Sequence, residues 1–379
     1  GCPERKTDKE GEEDTARDPE DVLDMHAVYL RRIQWPGLKL VHGSQEVMEL
    51  MDDLLKAFQQ HFTNSFFPMI QSAIGIGSAF EGWSPDGDDT VYQVLLPLKA
   101  CPGHVFHVEL GNGAEVAAKD TRVRVEVKCT CTSEHLRENE LCLLHHPGGP
   151  ILLDSLCTDS YLDVHKTAEW FQSFVKSAWA TLPKSRRYEM QLLPSRHSCK
   201  LQLRHASGRT LIIEMLLGVQ LGNTDIFACS QDTGATVKGI TMWAKSCAVA
   251  EMKVFRIATR QVPHGSCHLK CLYLCTRIAR DTGFSAYIMK TVMMHLLATA
   301  PLSGWCRMDF LSRLEDTLGY LHRCLQEGSL RHFCFGNENV PEGIILPPAF
   351  QEAQAPNLLQ HLQQDAGAHL VALRKFEEL

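Results

Sequence analysis

The chain lacks any run of about 18 consecutive apolar residues, so no stretch of it reads as a bilayer-spanning helix. It has no excess of positive charge. Its 38 basic and 45 acidic side chains leave a net −7, which excludes a general coat protein for nucleic acid. It does not start with methionine, so it reads as a fragment or processed product whose signal or anchor would lie upstream. It also lacks the even, regular cysteine spacing of a disulfide framework. Its 15 cysteines, an odd number, run from Cys2 to Cys334, and several, such as Cys271 and Cys275, sit inside apolar runs. That pattern fits reduced, buried thiols of an intracellular compartment.

A further absence bears on chemistry. Around residues 74–98 a strand ends in a glycine turn, followed by a loop and a second strand. Gly75, Gly77 and Ser78 can bring backbone N–H groups close to a phosphate. A metal-dependent phosphoryl-transfer site would then need acidic ligands on the next strand. That strand reads VYQVLL from Val91, with no carboxylate on it. Glu214 stands alone in the apolar run LIIEMLL, where a charge is costly unless paired or coordinated. It reads either as the surviving third ligand of a two-metal site or as a carboxylate paired with Arg204 or Arg209. Asp86, Asp88 and Asp89 could hold a cation, and a turn-rich SPDGDD stretch also reads as solvated loop. The expectation is therefore no bound metal, no cofactor and no catalytic residue, with Gly75, Gly77 and Ser78 as the remnant of a phosphate loop.

What is present is a globular composition, 44% hydrophobic and 22% charged over 379 residues, enough for one large or two ordinary domains. Residues 1–44 read as a flexible acidic linker, with Glu10, Glu12, Glu13 and Asp14 close together. Trp35, Pro36 and Gly37 mark a turn. Ser44 can cap a helix over 44–64, in which Val47, Leu50, Met51, Leu54, Phe58 and Phe62 form one apolar face. Such a helix, followed by the glycine turn, is a spine supporting a sheet.

Val123, Val125 and Val127 alternate with charged residues as a half-buried strand does. Trp170, Phe171, Phe174 and Ala178 stripe a helix over 162–181, and 211–217 reads as a central strand by its continuous apolarity. Beyond about residue 240 the pattern turns helical, over 267–280, 285–298, 311–325 and the tail from 357. The predicted fold is α+β: a mixed-sheet lobe with a spine helix over 45–240, then a C-terminal helical bundle over 241–379.

Three clusters have bland and functional readings. Cys129, Cys131 and Cys142 with His145 and His146 have zinc-ligand types without a finger spacing, so core packing is favoured. Cys267, His268, Cys271 and Cys275 recur at helical spacing and read as a buried helix face. Lys184, Arg186 and Arg187 read as an exposed turn.

These residues resemble a family. The run CHLKCLYLCTRIARDTGFSAYIMKTVMMHLL looks like the C-terminal helical signature of the male-abnormal-twenty-one and cyclic GMP-AMP synthase superfamily, and Gly77-Ser78 looks like its nucleotidyltransferase loop. Within it, GIGSAFEGW, ELCLLHHP, YLDVHKTAEWFQSFVKSAWATL, SCKLQLRHASGRTL and LGVQL resemble the inositol trisphosphate receptor-interacting protein-like group, most of all its like-1 branch, from roughly residue 45 onward. The resemblance implies a Glu-x-Asp pair at Val91 and Gln93 and a third carboxylate at Glu214, so two of the three positions are degenerate. The zinc loop of the DNA-sensing synthase is not seen over 255–264. The resemblance also implies a single-pass membrane protein with this domain cytoplasmic, the plasma membrane being one candidate, and a spanning segment ahead of Gly1. The implied partner is a membrane receptor protein, either the inositol trisphosphate receptor or a T-cell receptor signalling chain, and not nucleic acid.

Overall fold

The structure, a computed structural model, describes residues 34–62, 67–110, 120–128, 155–232, 239–280 and 283–378. Residues 1–33 of the linker expected over 1–44 lie outside the described residues, and so does the Cys129, Cys131, Cys142, His145 and His146 cluster.

The first helix, α1 (Gly37–His61), buries Leu40, Val47, Leu50, Met51, Leu54 and Phe58 along one face. It begins seven residues before the expected start, inside the stretch read as linker, with Pro36 at its N-cap. Ser44 is therefore not a cap but an interior residue, and its Oγ donates to the Ala79 carbonyl at 3.5 Å. Proline fixes a helix-compatible φ and lacks only a donor that has no partner in the first turn, so it outcompetes the serine as a start signal. Gly43 sits in mid-helix because a Cβ there would lie 2.0 Å from the Tyr92 hydroxyl.

Twelve strands form one mixed sheet among the described residues: β1 (Met69–Ile70), β2 (Ile74–Ile76), β3 (Val91–Lys99), β4 (His104–Glu109), β5 (Asp120–Val127), β6 (Cys157–Thr158), β7 (Tyr161–Leu162), β8 (Tyr188–Leu193), β9 (Cys199–His205), β10 (Thr210–Gln220), β11 (Phe227–Cys229) and β12 (Met242–Ser246). Its spatial order runs β1-β3-β10-β11-β12-β5-β7-β6, with β2 on β3, β4 on β5, and the β8–β9 hairpin on β10. The long strand β10 is central, as its apolar run predicts. It pairs parallel with β3 and antiparallel with β9 and β11.

The period of two divides these strands between the two faces of the sheet. Val94, Leu96, Ile213, Met215 and Leu217 join α1 and α3 (Val164–Ala178) in one core. Phe58 meets Phe174 edge-on there, with ring centroids 5.1 Å apart. Asp163 caps α3 by accepting from the Lys166 amide at 3.0 Å. Leu95 and Leu216 face the other way and pack with Ile76, Phe227 and Val249.

β12 carries the sheet to Ser246, and α4 (Ala248–Gln261) follows it. Between the strands lies α2 (Gly77–Glu81), and after α4 come α5 (His268–Arg280), α6 (Ala286–Thr299) and α7 (Phe310–Glu327). Three short tail helices follow: α8 (Pro348–Glu352), α9 (Gln360–Gln364) and α10 (Ala366–Glu377). Their buried residues, with Trp305 from the segment between α6 and α7, form a second large core that includes Phe255, Met289, Met293 and Leu325. Among the described residues no helix is long and apolar enough to cross a membrane.

Candidate functional site

The glycine turn does not join two strands directly. Gly77, at φ +78°, opens the five-residue helix α2 straight after β2. Each glycine has a steric reason that needs no phosphate. A Cβ on Gly75 would lie 2.2 Å from the Phe80 ring, and one on Gly77 would lie 2.9 Å from Gln93 Oε1. The Ser78 carbonyl accepts from the Gly82 and Trp83 amides, both at 3.0 Å, and closes α2.

The degenerate positions do come together. In the parallel β3–β10 ladder Ile212 pairs with Val91 and Glu214 with Gln93. Gln93 Nε2 donates to Glu214 Oε2 at 3.0 Å, and Ser198 Oγ donates to Glu214 Oε1 at 3.0 Å. Glu214 is therefore held by neutral donors; of the two arginines named as its partner, Arg209 pairs with Glu46 and hydrogen-bonds Tyr188, and Arg204 sits opposite Thr210 in the β9–β10 ladder, away from the Glu214–Lys200 pair. Arg209 lies just before β10, whereas Glu214 is five residues further along the chain, within the strand, and points to the opposite face from Ile213.

The loop aspartates do not converge on this place. Asp86 accepts from Arg280 at 2.7 Å, Asp88 pairs with Lys39, and Asp88 and Asp89 are exposed in a single 3-10 turn. Lys184, half-buried on a 3-10 turn, pairs with Glu49 at 3.1 Å, while Arg186 and the following Arg187 are exposed. Cys267, His268, Cys271 and Cys275 are buried at one side of α5, where the Cys267 thiol donates to the Cys306 carbonyl at 3.2 Å. Burial pushes the His268 imidazole down to about 4.

A cavity of about 490 Å³ opens between the lobes. Gly77, Ser78 and Gln93 form its sheet side, and Glu251, Tyr287 and Lys290 its helical side. Its floor is a buried ion network that the sequence reading missed. Lys290 Nζ lies 2.7 Å from Glu81 Oε1 and 2.7 Å from Glu251 Oε2. Trp83 Nε1 donates to Glu81 Oε2 at 2.7 Å, and the Tyr287 hydroxyl donates to Glu251 Oε1 at 2.7 Å.

Burial alone would lower Lys290, but the carboxylates of Glu251 and Glu81 outweigh it and keep the ammonium above the ordinary lysine range. Burial works to raise Glu251 also, and Lys290 and His332 bring it below the usual carboxylate range. Glu81 is raised by burial despite Lys290. The network joins α2, which follows the glycine turn, to α4 and α6 of the helical lobe. A signal was available: Lys290 is an isolated charge in the apolar run AYIMKTVMMHLL, the same kind of feature that singled out Glu214.

The arrangement leaves an open cavity beside the glycine turn. At the two aligned positions where two-metal chemistry would need carboxylates it offers a valine and a hydrogen-bonded carboxamide.

Comparison with known proteins adds to this. Residues 267–342 match the Mab-21 protein HhH/H2TH-like domain. The mouse protein named inositol 1,4,5-trisphosphate receptor-interacting protein-like 1 is 34% identical over 372 residues, 94% of this chain and 68% of the relative. The rat protein of the same name is 34% identical over 350 residues, 88% of this chain and 64% of the relative. The human inositol 1,4,5-trisphosphate receptor-interacting protein is 28% identical over 369 residues, 89% of this chain and 66% of the relative. The chain thus spans roughly two thirds of the length of these relatives. Together with the mixed sheet and helical lobe, these matches carry the assignment: the chain belongs to the inositol 1,4,5-trisphosphate receptor-interacting protein family, with a nucleotidyltransferase-like α+β fold.

Proposed function

We propose that this chain is a non-catalytic, nucleotidyltransferase-fold interaction module, the cytoplasmic part of a single-pass membrane protein that regulates, or acts as ligand for, a membrane receptor. The observation that carries the non-catalytic reading is the Gln93–Glu214 hydrogen bond. Two divalent ions need several fixed oxygen ligands with negative charge. Here the position facing Glu214 presents an N–H to it, and Val91 presents no donor atom. The partner side rests on the relatives' printed names, which makes the inositol trisphosphate receptor the first candidate. A T-cell receptor signalling chain is the second, by the resemblance of the sequence to the like-1 branch.

Two measurements test the reading. Purified protein with labelled ATP or GTP and manganese is expected to form no product. Product that vanishes in Glu214→Ala would overturn it. Full-length protein in cell membranes is expected to co-purify with one of the two named receptors, and failure with both would remove the partner half.

A second reading is favoured by the cavity beside Gly77 and Ser78: a nucleotide-binding sensor without turnover. Saturable binding of ATP or GTP without product selects it.

A further inference from the structure

The last stretch of the cleft wall brings three zinc-type ligands together from distant parts of the chain. Cys247 is the N-cap of α4, where the sheet hands over to the helical lobe. His332 and Cys334 lie in a His-x-Cys loop after α7. One ligand atom from each lies within 4.8 Å of the other two. Cys247 and Cys334 are buried, and His332 is half-buried.

We propose that Cys247, His332 and Cys334 form a three-ligand site for a thiophilic divalent metal, zinc by ligand type, whose fourth position opens into the cavity between the lobes. Two thiolates and an imidazole suit zinc and disfavour magnesium or calcium, which take oxygen ligands. With Zn–S about 2.3 Å and Zn–N about 2.0 Å, tetrahedral ligand atoms stand roughly 3.5–3.8 Å apart, so the group needs to contract by about 1 Å. Binding displaces the two thiol protons to solvent and leaves both sulfurs as thiolates.

Two features prepare the site. The loop is tied down: the His332 amide donates to the Pro356 carbonyl at 2.9 Å, and the Leu330 amide to Asn357 Oδ1 at 2.9 Å. The imidazole is also oriented from behind. His332 Nε2 lies 2.9 Å from the Tyr287 hydroxyl, which donates to Glu251, which in turn holds Lys290. A metal-bound histidine usually donates its other N–H to such a relay. Nδ1, 3.2 Å from the Cys334 amide, is then the ligand atom, and that long hydrogen bond is given up on binding. Cys247 and His332 line the cavity, so a water, or a donor group of a molecule bound there, completes the tetrahedron. The metal would fasten the end of the sheet to the helical lobe beside the Glu81–Lys290–Glu251 network.

The 379-residue chain, purified under reducing conditions and stripped with a chelator, is titrated with cobalt(II) and then competed with zinc. We expect about one cobalt per chain with a thiolate-to-cobalt charge-transfer band and intense tetrahedral d–d bands, both erased by zinc. Cys247→Ser and Cys334→Ser should each abolish the charge-transfer band of this site while keeping the native near-ultraviolet circular dichroism. His332→Ala keeps both thiols and should lose the tetrahedral bands even if a serine variant fails to fold. Tyr287→Phe should weaken affinity on the order of 10-fold. The combined Cys129→Ser, Cys131→Ser and Cys142→Ser variant should bind as the parent does. The proposal is overturned by no charge-transfer band in the parent chain, by bands that survive in His332→Ala, by their loss in the combined variant, or by a Cys247–Cys334 disulfide in place of metal.

Discussion

Gln93 Nε2 donates to Glu214 Oε2 at 3.0 Å between two parallel strands in register. The amide thereby satisfies one oxygen of the carboxylate, and Ser198 Oγ satisfies the other at 3.0 Å. The interaction sets an N–H on one side against a carboxylate oxygen on the other. Gln93→Glu should therefore place two carboxylates together and destabilise the chain on the order of 1–2 kcal/mol at pH 7, a magnitude kept modest because Glu214 is half-buried. The urea midpoint checks this. The loss should shrink as the pH falls toward the carboxyl range, and an unchanged midpoint would contradict the pairing.

Lys290 is buried between two glutamates from different parts of the fold. Lys290→Met should cost about 3–5 kcal/mol, because it strands both carboxylates without a cation. Adding Glu81→Gln and Glu251→Gln should recover most of the loss, since the desolvated charges go with it. A single mutant as stable as the parent in thermal melting would show that the network contributes nothing.

Gly43→Ala offers a test of sign. In an exposed helix the change would stabilise by about 1 kcal/mol. Here the new methyl meets Tyr92, a buried residue of β3, so overpacking should win and the variant should lose about 1–3 kcal/mol in denaturant titration. A gain in stability would mean that α1 sits further from the sheet.

His268 carries a pH dependence. Its folded-state value, about 4 against an ordinary 6.5, means that burial disfavours the charged form. Above pH 6.5 both states are neutral and the group contributes no slope. Between pH 6.5 and about 4 the unfolded chain takes up the proton and the folded chain does not, so stability falls as pH falls. The full loss is on the order of 3 kcal/mol, and it levels off below the folded value. The parent minus His268→Gln difference in unfolding free energy, measured across pH 4–7, should show this fall, and a flat difference would refute it.

Much of the architecture was legible in the sequence because it is written in periodic apolar patterns. Val47, Leu50, Met51, Leu54 and Phe58 form the buried face of α1, Trp170 to Ala178 falls on α3, and the apolar run around Glu214 is the central strand. The stripes over 267–280 and 285–298 became α5 and α6. Val91, Gln93 and Glu214 were also legible as candidates, since a strand without acids and a lone acid in an apolar run are one-dimensional facts.

What the sequence could not say is which side chains meet. The helix start moved from Ser44 to Gly37 because Pro36 and the packing of Leu40 outweigh a capping hydroxyl. The partner of Glu214 was Gln93, 121 positions away, and not a nearby arginine, because strand pleat and parallel register decide which polar groups share a face. Glu81, Glu251 and Lys290 carry no local mark of belonging together, and neither do Cys247, His332 and Cys334. Only closing the helical lobe on the sheet brings those charges within 2.7 Å and those ligands within 4.8 Å, since both groupings depend on contacts between residues far apart in the chain.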